Sequence, residues 1–179
     1  RYVATTGSNN NIGDLNTPYA DIQYAITQVC DGDTVFVNDG TYVENIDFLG
    51  KNIVVTSING ADVTTIDGNQ NGSVVVFQNS ETSAVLDGFT ITNGSGNILS
   101  FLGWTDYFGG GVLVYDNTTA HLQNLIVENN NAERGAGIAI YNNWQNTNHS
   151  SIQNCNINNN NAANGGGGAA PALTVRQNS

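Results

Sequence analysis

Apolar residues fall here in short runs at fixed stations, and the runs repeat. One series reads Leu86-Asp87-Gly88-Phe89-Thr90-Ile91-Thr92-Asn93, then Leu122-Gln123-Asn124-Leu125-Ile126-Val127-Glu128-Asn129, then Ile152-Gln153-Asn154-Cys155-Asn156-Ile157-Asn158-Asn159. Its apolar stations fall at 86/122/152, 89/125/155 and 91/127/157, and Asn93, Asn129 and Asn159 close the units. A second series occupies residues 74–79, 112–117 and 138–143, aligned from Val74, Val112 and Ile138. Earlier members are read at 35–38 and 53–56, and a last one at 173–178. The runs are short, β-rich and bounded by Gly and Asn, which marks them as strands. Matched residue types at matched stations point to stacked coils, since each coil of a parallel solenoid repeats the one below. A β-sandwich is the competing architecture, but its hairpins give no such matching. The expected fold is therefore all-β: a right-handed parallel β-helix with coils over 33–179, forming a single domain over 1–179.

The first thirty residues follow another period. Thr17-Pro18 has the form of a cap and first turn. Ile22, Ala25, Ile26 and Val29 share one helical face, and Gly32 can end the helix. An amphipathic capping helix over 17–31 is expected to cover the first coil. Within the coils, Asn tolerates left-handed backbone, and its amide can bond the neighbouring coil. Asn93, Asn129 and Asn159 are expected to stack as a ladder.

Composition sharpens this picture. The 179 residues include 30 Asn and 21 Gly, no Met, and only 4 Lys plus Arg against 15 Asp plus Glu. The net charge is −11. So few cations exclude phosphate neutralisation, and with it nucleic acid as a partner. No apolar run reaches about 18 residues, so no membrane-inserting helix is expected. Without an initiator Met or a leader, the sequence reads as a mature or excised segment. Its last strand run reaches the final residues, so further coils are expected to follow in a parent protein.

Residues 32–37 (Gly-Asp-Thr-Val-Phe-Val), 40–44 (Gly-Thr-Tyr-Val-Glu), 51–53 (Lys-Asn-Ile) and 65–68 (Thr-Ile-Asp-Gly) resemble the opening of right-handed parallel β-helix proteins of the pectin-lyase-like superfamily. The Gly-rich turns and the Asn-rich unit at 152–161 resemble the polymorphic outer-membrane-type repeats of bacterial surface proteins. The resemblance spans the sequence from about residue 17. It implies an extracellular or cell-surface bacterial protein. It does not choose among lyases, hydrolases, tailspikes and adhesins, because fold does not dictate function.

A lyase of that superfamily would need a basic residue as proton abstractor, with calcium. Arg1 and Arg176 lie near the two ends, and Lys51 reads as solvated surface in a turn. Arg134, next to Glu133 and before Gly135-Ala136-Gly137, is the one weak catalytic candidate, and a turn-stabilising ion pair is its simpler role. A hydrolase would need paired carboxylates, and the polygalacturonase-like Asp-Asp, Gly-His-Gly and Arg-Ile-Lys motifs are missing. His121 and His149 are isolated. Cys30 and Cys155 sit several coils apart, beyond disulfide reach, and Cys155 takes the inward station of Phe89 and Leu125.

Binding residues are sought on the outer face. With Val112 and Val114 inward, Leu113 and Tyr115 point out. The expected outer columns are Phe36, Val54, Val75, Leu113, Ala139 and Asn38, Thr56, Phe77, Tyr115, Tyr141. Phe77, Tyr115 and Tyr141, edged by Asp116 and Asn142, suit sugar rings. Residues 95–108 are an inserted aromatic loop whose Trp104, Tyr107 and Phe108 either fold back onto the stripe or form a binding lip. A second excursion at 142–150 carries Trp144. An adjacent domain is the other expected occupant of the stripe. No cofactor is expected, and calcium is the one metal the acidic residues admit, at Asp62, Asp67 and Asp87. Ice binding would need a Thr-x-Thr ladder, which only Thr90-Ile91-Thr92 supplies. Sequons occur at Asn71, Asn93, Asn117 and Asn148. The resulting expectation is a non-catalytic β-helix module, an adhesin, stalk or carbohydrate-binding surface. The alternative is the N-terminal part of a polysaccharide lyase or glycoside hydrolase.

Overall fold

The computed structural model describes residues 1–101, 104–141 and 149–163. Strand β1 (Tyr2–Val3) and helix α1 (Ile22–Thr27) precede a first pass of three strands, β2 (Thr34–Val37), β3 (Gly40–Val43) and β4 (Ile46–Asp47). The second pass is β5 (Val54–Ser57), β6 (Thr64–Asp67) and β7 (Val75–Phe77). The third is β8 (Ala84–Asp87), β9 (Thr90–Thr92), then β10 (Asn97–Phe101) and β11 (Trp104–Phe108), and β12 (Val112–Tyr115). The fourth is β13 (Ala120–Gln123), β14 (Ile126–Glu128), β15 (Asn131–Ala132) and β16 (Ile138–Tyr141). A fifth begins with β17 (Ser151–Gln153), β18 (Asn156–Asn158) and β19 (Asn161–Ala162).

Each pass adds one strand to the same sheets. The first sheet runs β1-β2-β5-β8-β13-β17, the second β3-β6-β9-β14-β18 and the third β4-β7-β12-β16. All their pairings are parallel. A short parallel pair joins β15 to β19. The described residues are thus all-β, with stacked parallel sheets and one short helix, an arrangement compatible with a parallel β-helix.

Left-handed turns separate the sheets. The first-series units each hold two strands, bent at Gly88, Asn124 and Asn154, with φ of 77°, 51° and 54°. A second bend follows at Asn93, Asn129 and Asn159, with φ of 58°, 57° and 51°. Asn accepts this backbone because its short amide bonds locally. The expected stations pair in register, Leu86 with Leu122 and Leu122 with Ile152. Phe89 and Leu125 are fully buried, and Cys155 packs against the same core.

The amide ladder lies one residue beyond the expected one. Asn130 is fully buried. Its Oδ1 accepts from Gly94 N at 2.8 Å, and its Nδ2 donates to Ile91 O, Glu128 O and Asn160 Oδ1, each at 3.0 Å. Asn160 donates in turn to Val127 O at 2.8 Å. Asn93, Asn129 and Asn159 stack as backbone turns, and the amide of Asn93 goes instead to Asp67 Oδ2 at 2.9 Å. Gly94 occupies the ladder column of the preceding pass, where any side chain would strike the Gly110 carbonyl.

The cap also differs from expectation. Only Ile22–Thr27 is helical, not 17–31. Thr17 belongs to a loop turned around Asp14, whose Oδ1 accepts from Asn16 N, Thr17 N and Thr17 Oγ1. The helix start is held from the first pass, since both Glu44 oxygens accept from Ile22 N and Gln23 N at 2.9 and 2.8 Å. Its end is held by Lys51, whose Nζ donates to Ile26 O at 2.7 Å, Val29 O at 2.9 Å and Thr27 O at 3.3 Å. Lys51 is therefore a helix C-terminal cation and not solvated surface. The edge of the first sheet is closed by Tyr19, which exchanges bonds with Tyr2 and Ala4, and by Gly13, which accepts from Tyr2 N. Such closure blunts an edge that would otherwise template aggregation.

A candidate binding face on the third sheet

The third sheet has a different phase from that read in the sequence. Val112 pairs with Val75, not Val74, and Phe77 pairs with Val114. A one-residue slip moves every side chain to the other face. Phe77 is therefore a core residue, fully buried, with its ring 4.2 Å from Phe48 at 29°. It is not part of a ligand surface. The expected columns also divide between sheets, because Phe36, Val54 and Thr56 belong to the first sheet. The real outer column is Asp47, Val76, Leu113 and Ala139, and beside it Tyr115 pairs with Tyr141.

Of the aromatics expected on the inserted loop, Phe108 packs back onto the stripe, while Tyr107 stays largely exposed. β10 and β11 form an antiparallel hairpin, from Asn97 opposite Phe108 to Phe101 opposite Trp104. Leu99 of this hairpin joins Leu113 and Ala139 in a second buried cluster, with Phe108 and Tyr115 packed against it. The hairpin covers part of the apolar stripe with the protein's own residues, as buried apolar area favours. Arg134 holds it. Its Nε lies 2.5 Å from Asp106 Oδ2, and its guanidinium sits 5.9 Å from the centre of the Phe108 ring. Glu133, expected beside it as an ion-pair partner, instead accepts from Tyr107 N at 2.8 Å.

What stays accessible is the rim of this face. Tyr115 Oη donates to Gln78 Oε1, and Gln78 Nε2 donates to Asp47 Oδ2. Asp47 N donates to Gln23 Oε1 at 2.6 Å, which ties the row to the capping helix. Tyr141 continues the row one strand on, with its ring 6.0 Å from Phe108 in an edge arrangement. Both tyrosines are half-buried, and Asp116 is exposed. Partial burial pushes the Tyr115 phenol up, and the carboxylates of Asp116 and Asp47 add to this. At neutral pH the phenol is a neutral donor and acceptor. The face offers two aromatic bodies with polar tips, a carboxamide and two carboxylates.

Tyr107 is on the hairpin, 45% exposed. Trp104 is at the start of β11. Asn142 and Trp144 lie outside the described residues. His121 and Ser151 form a cross-strand pair on the first sheet, Nδ1 to Oγ at 2.9 Å. Cys30 and Cys155 are both free thiols.

The calcium candidates do not converge. Asp67 and Asp87 lie in different sheets. Asp67 accepts from Asn69 N and Asn93 Nδ2, and Asp87 from Asn124 Nδ2 and Thr56 Oγ1. Among the described residues no three His, Cys, Asp or Glu side chains gather as metal ligands.

Two carboxylates carry structural roles that no local sequence pattern marks. Glu81 is fully buried at the turn into the third pass. Its Oε1 accepts from Gly50 N at 2.9 Å and Gln78 N at 3.3 Å, and its Oε2 accepts from Thr118 Oγ1 at 3.0 Å. Burial pushes its carboxyl above the usual range despite these donors, and the same holds for Glu44. Both carboxylates join segments far apart in sequence, so no local pattern marks them.

No family model, curated protein or solved structure matches this sequence.

Proposed function

We propose that this protein is a non-catalytic right-handed parallel β-helix module of a bacterial surface or secreted protein, similar in fold to the pectin-lyase-like superfamily, and that it binds glycan on the outer rim of its third sheet. The regular gain of one parallel strand per pass in each of three sheets supports the solenoid reading. The observation that carries the function is the row Tyr141, Tyr115, Gln78 and Asp47 beside the hairpin. Tyr rings supply flat apolar area with a polar end, and a carboxamide and carboxylates at the rim can take sugar hydroxyls. The ligand class is an uncharged glycan, free or on a cell surface. A protein of net charge −11, with Asp47 and Asp116 on the face, repels uronate polymers.

The cations support a binding role over catalysis. Arg134 is committed to Asp106, and Lys51 to the helix carbonyls. Arg176 lies outside the described residues. The test is a glycan array followed by calorimetry on the best neutral glycan. Binding weakened about two- to tenfold by Tyr115→Ala is expected, for a stacking contact of roughly 0.5–1.5 kcal/mol. Unchanged affinity in the Tyr115→Ala/Tyr141→Ala double variant would remove this face from the account.

A further inference from the structure

Asn followed by Gly is the pair most prone to spontaneous deamidation, because no side chain shields the glycine nitrogen. In that reaction the Gly amide nitrogen attacks the Asn Cγ carbonyl carbon, a ring N–Cγ bond forms, the Cγ–Nδ2 bond breaks and ammonia leaves. Water then opens the succinimide to Asp or isoAsp. Three Asn-Gly pairs fall among the described residues, at 59–60, 71–72 and 93–94, and their surroundings differ.

Asn93-Gly94 is locked at both ends. Gly94 N donates to the fully buried Asn130 at 2.8 Å, and the Asn93 amide donates to Asp67 at 2.9 Å. Asn59 is exposed, but its amide is tied to Asp39 Oδ1 at 2.8 Å, and Gly60 N donates to Ser57 Oγ at 3.0 Å. Asn71 is exposed, and among the described residues its side-chain amide has no hydrogen-bond partner. Only one bond restrains the attacking nitrogen, from Gly72 N to Ser95 Oγ at 2.9 Å.

We infer that Asn71 is a site of spontaneous modification in the folded protein, the first of these three asparagines to become Asp or isoAsp, while Asn93 is protected by the stack. The site sits at the root of the hairpin. Gly72 O accepts from Ser95 N at 2.8 Å, and the next residue, Ser73, donates from N to Asn97 Oδ1 at 3.0 Å and from Oγ to Phe108 O at 3.2 Å. Conversion adds a negative charge there, and the isoAsp product adds a backbone carbon.

The experiment is peptide mapping by mass spectrometry of the native protein aged in mildly alkaline buffer, beside a denatured control. Conversion at Asn71 is expected several-fold ahead of Asn59, with Asn93 converting only in the control. Ser95→Ala should speed Asn71 about fivefold, the factor for one ordinary hydrogen bond, and leave Asn59 unchanged. Asn71→Gln should abolish the leading event. Native Asn93 converting as fast as in the control would overturn the inference. So would an Asn71 that stays intact while the control converts.

Discussion

Replacing Phe77 with Ala separates the observed register of the third sheet from the one the sequence suggests. In the structure the ring is fully buried and stacked on Phe48 at 4.2 Å, and Phe48 is itself fully buried. Truncation removes the apolar area and leaves a cavity between two passes that strand pairing holds in place. Such changes cost about 3–5 kcal/mol. For a protein of this size about 2–4 °C of Tm accompanies each kcal/mol, so a fall of roughly 6–20 °C is expected. Tyr115→Ala, on the half-buried rim, serves as the outward-facing control and should cost clearly less. The assay is paired thermal and urea unfolding, with hydrogen exchange on β4, β7 and β12 because stacked repeats can open locally. A Phe77→Ala variant within about 0.5 kcal/mol of the parent, the range of surface substitutions, would place the ring outside and refute the register.

Other expectations follow from single contacts. Lys51→Met should lose about 1.5–3 kcal/mol, because it strips charged hydrogen bonds from the helix end; urea unfolding measures it. Asn130→Ala should cost more than Asn129→Gly by at least about 1 kcal/mol, since it strands buried Gly94 N and Ile91 O; a reversed order in urea unfolding would contradict the ladder. Glu81 and Glu44 have folded pKa values above the unfolded one, so the native state holds more protons in the window between them. Their contribution to stability therefore falls as pH rises through that window and is recovered on acidification toward the usual carboxylate value of 4.5. Glu81→Gln should flatten this slope in unfolding curves taken across that range. Arg134→Ala should raise amide exchange in β10 and β11 while leaving β13 and β14 unchanged.

The fold is legible in the sequence where one residue type at a station has one physical explanation. Leu122 and Ile152 each sit between polar neighbours, so period and phase are both determined there, and Leu86, Leu122 and Ile152 pair in register. The run Val74-Val75-Val76-Phe77 has no alternation. Its inward side faces the core and its outer side meets the hairpin column, so both faces are apolar and the phase is undetermined. Asn129-Asn130 and Asn159-Asn160 are adjacent identical residues, and nothing local says which amide turns inward. The helix is shorter than its apolar period suggests because its ends are set by Glu44 and Lys51, more than twenty positions away. On the proposed binding face, Tyr115 and Tyr141 are identifiable in the sequence as a pair with an acidic edge at Asp116. Gln78 and Asp47 join them only through the true register.

The central claim is that this face binds and does not catalyse, and turnover tests it most directly. Purified protein is incubated with acidic and neutral polysaccharides, and release of unsaturated or reducing ends is followed by absorbance. The account expects none above a blank, alongside retained glycan binding. Turnover that disappears in a folded Arg134→Ala variant would contradict it, and would make this protein part of a polysaccharide lyase instead.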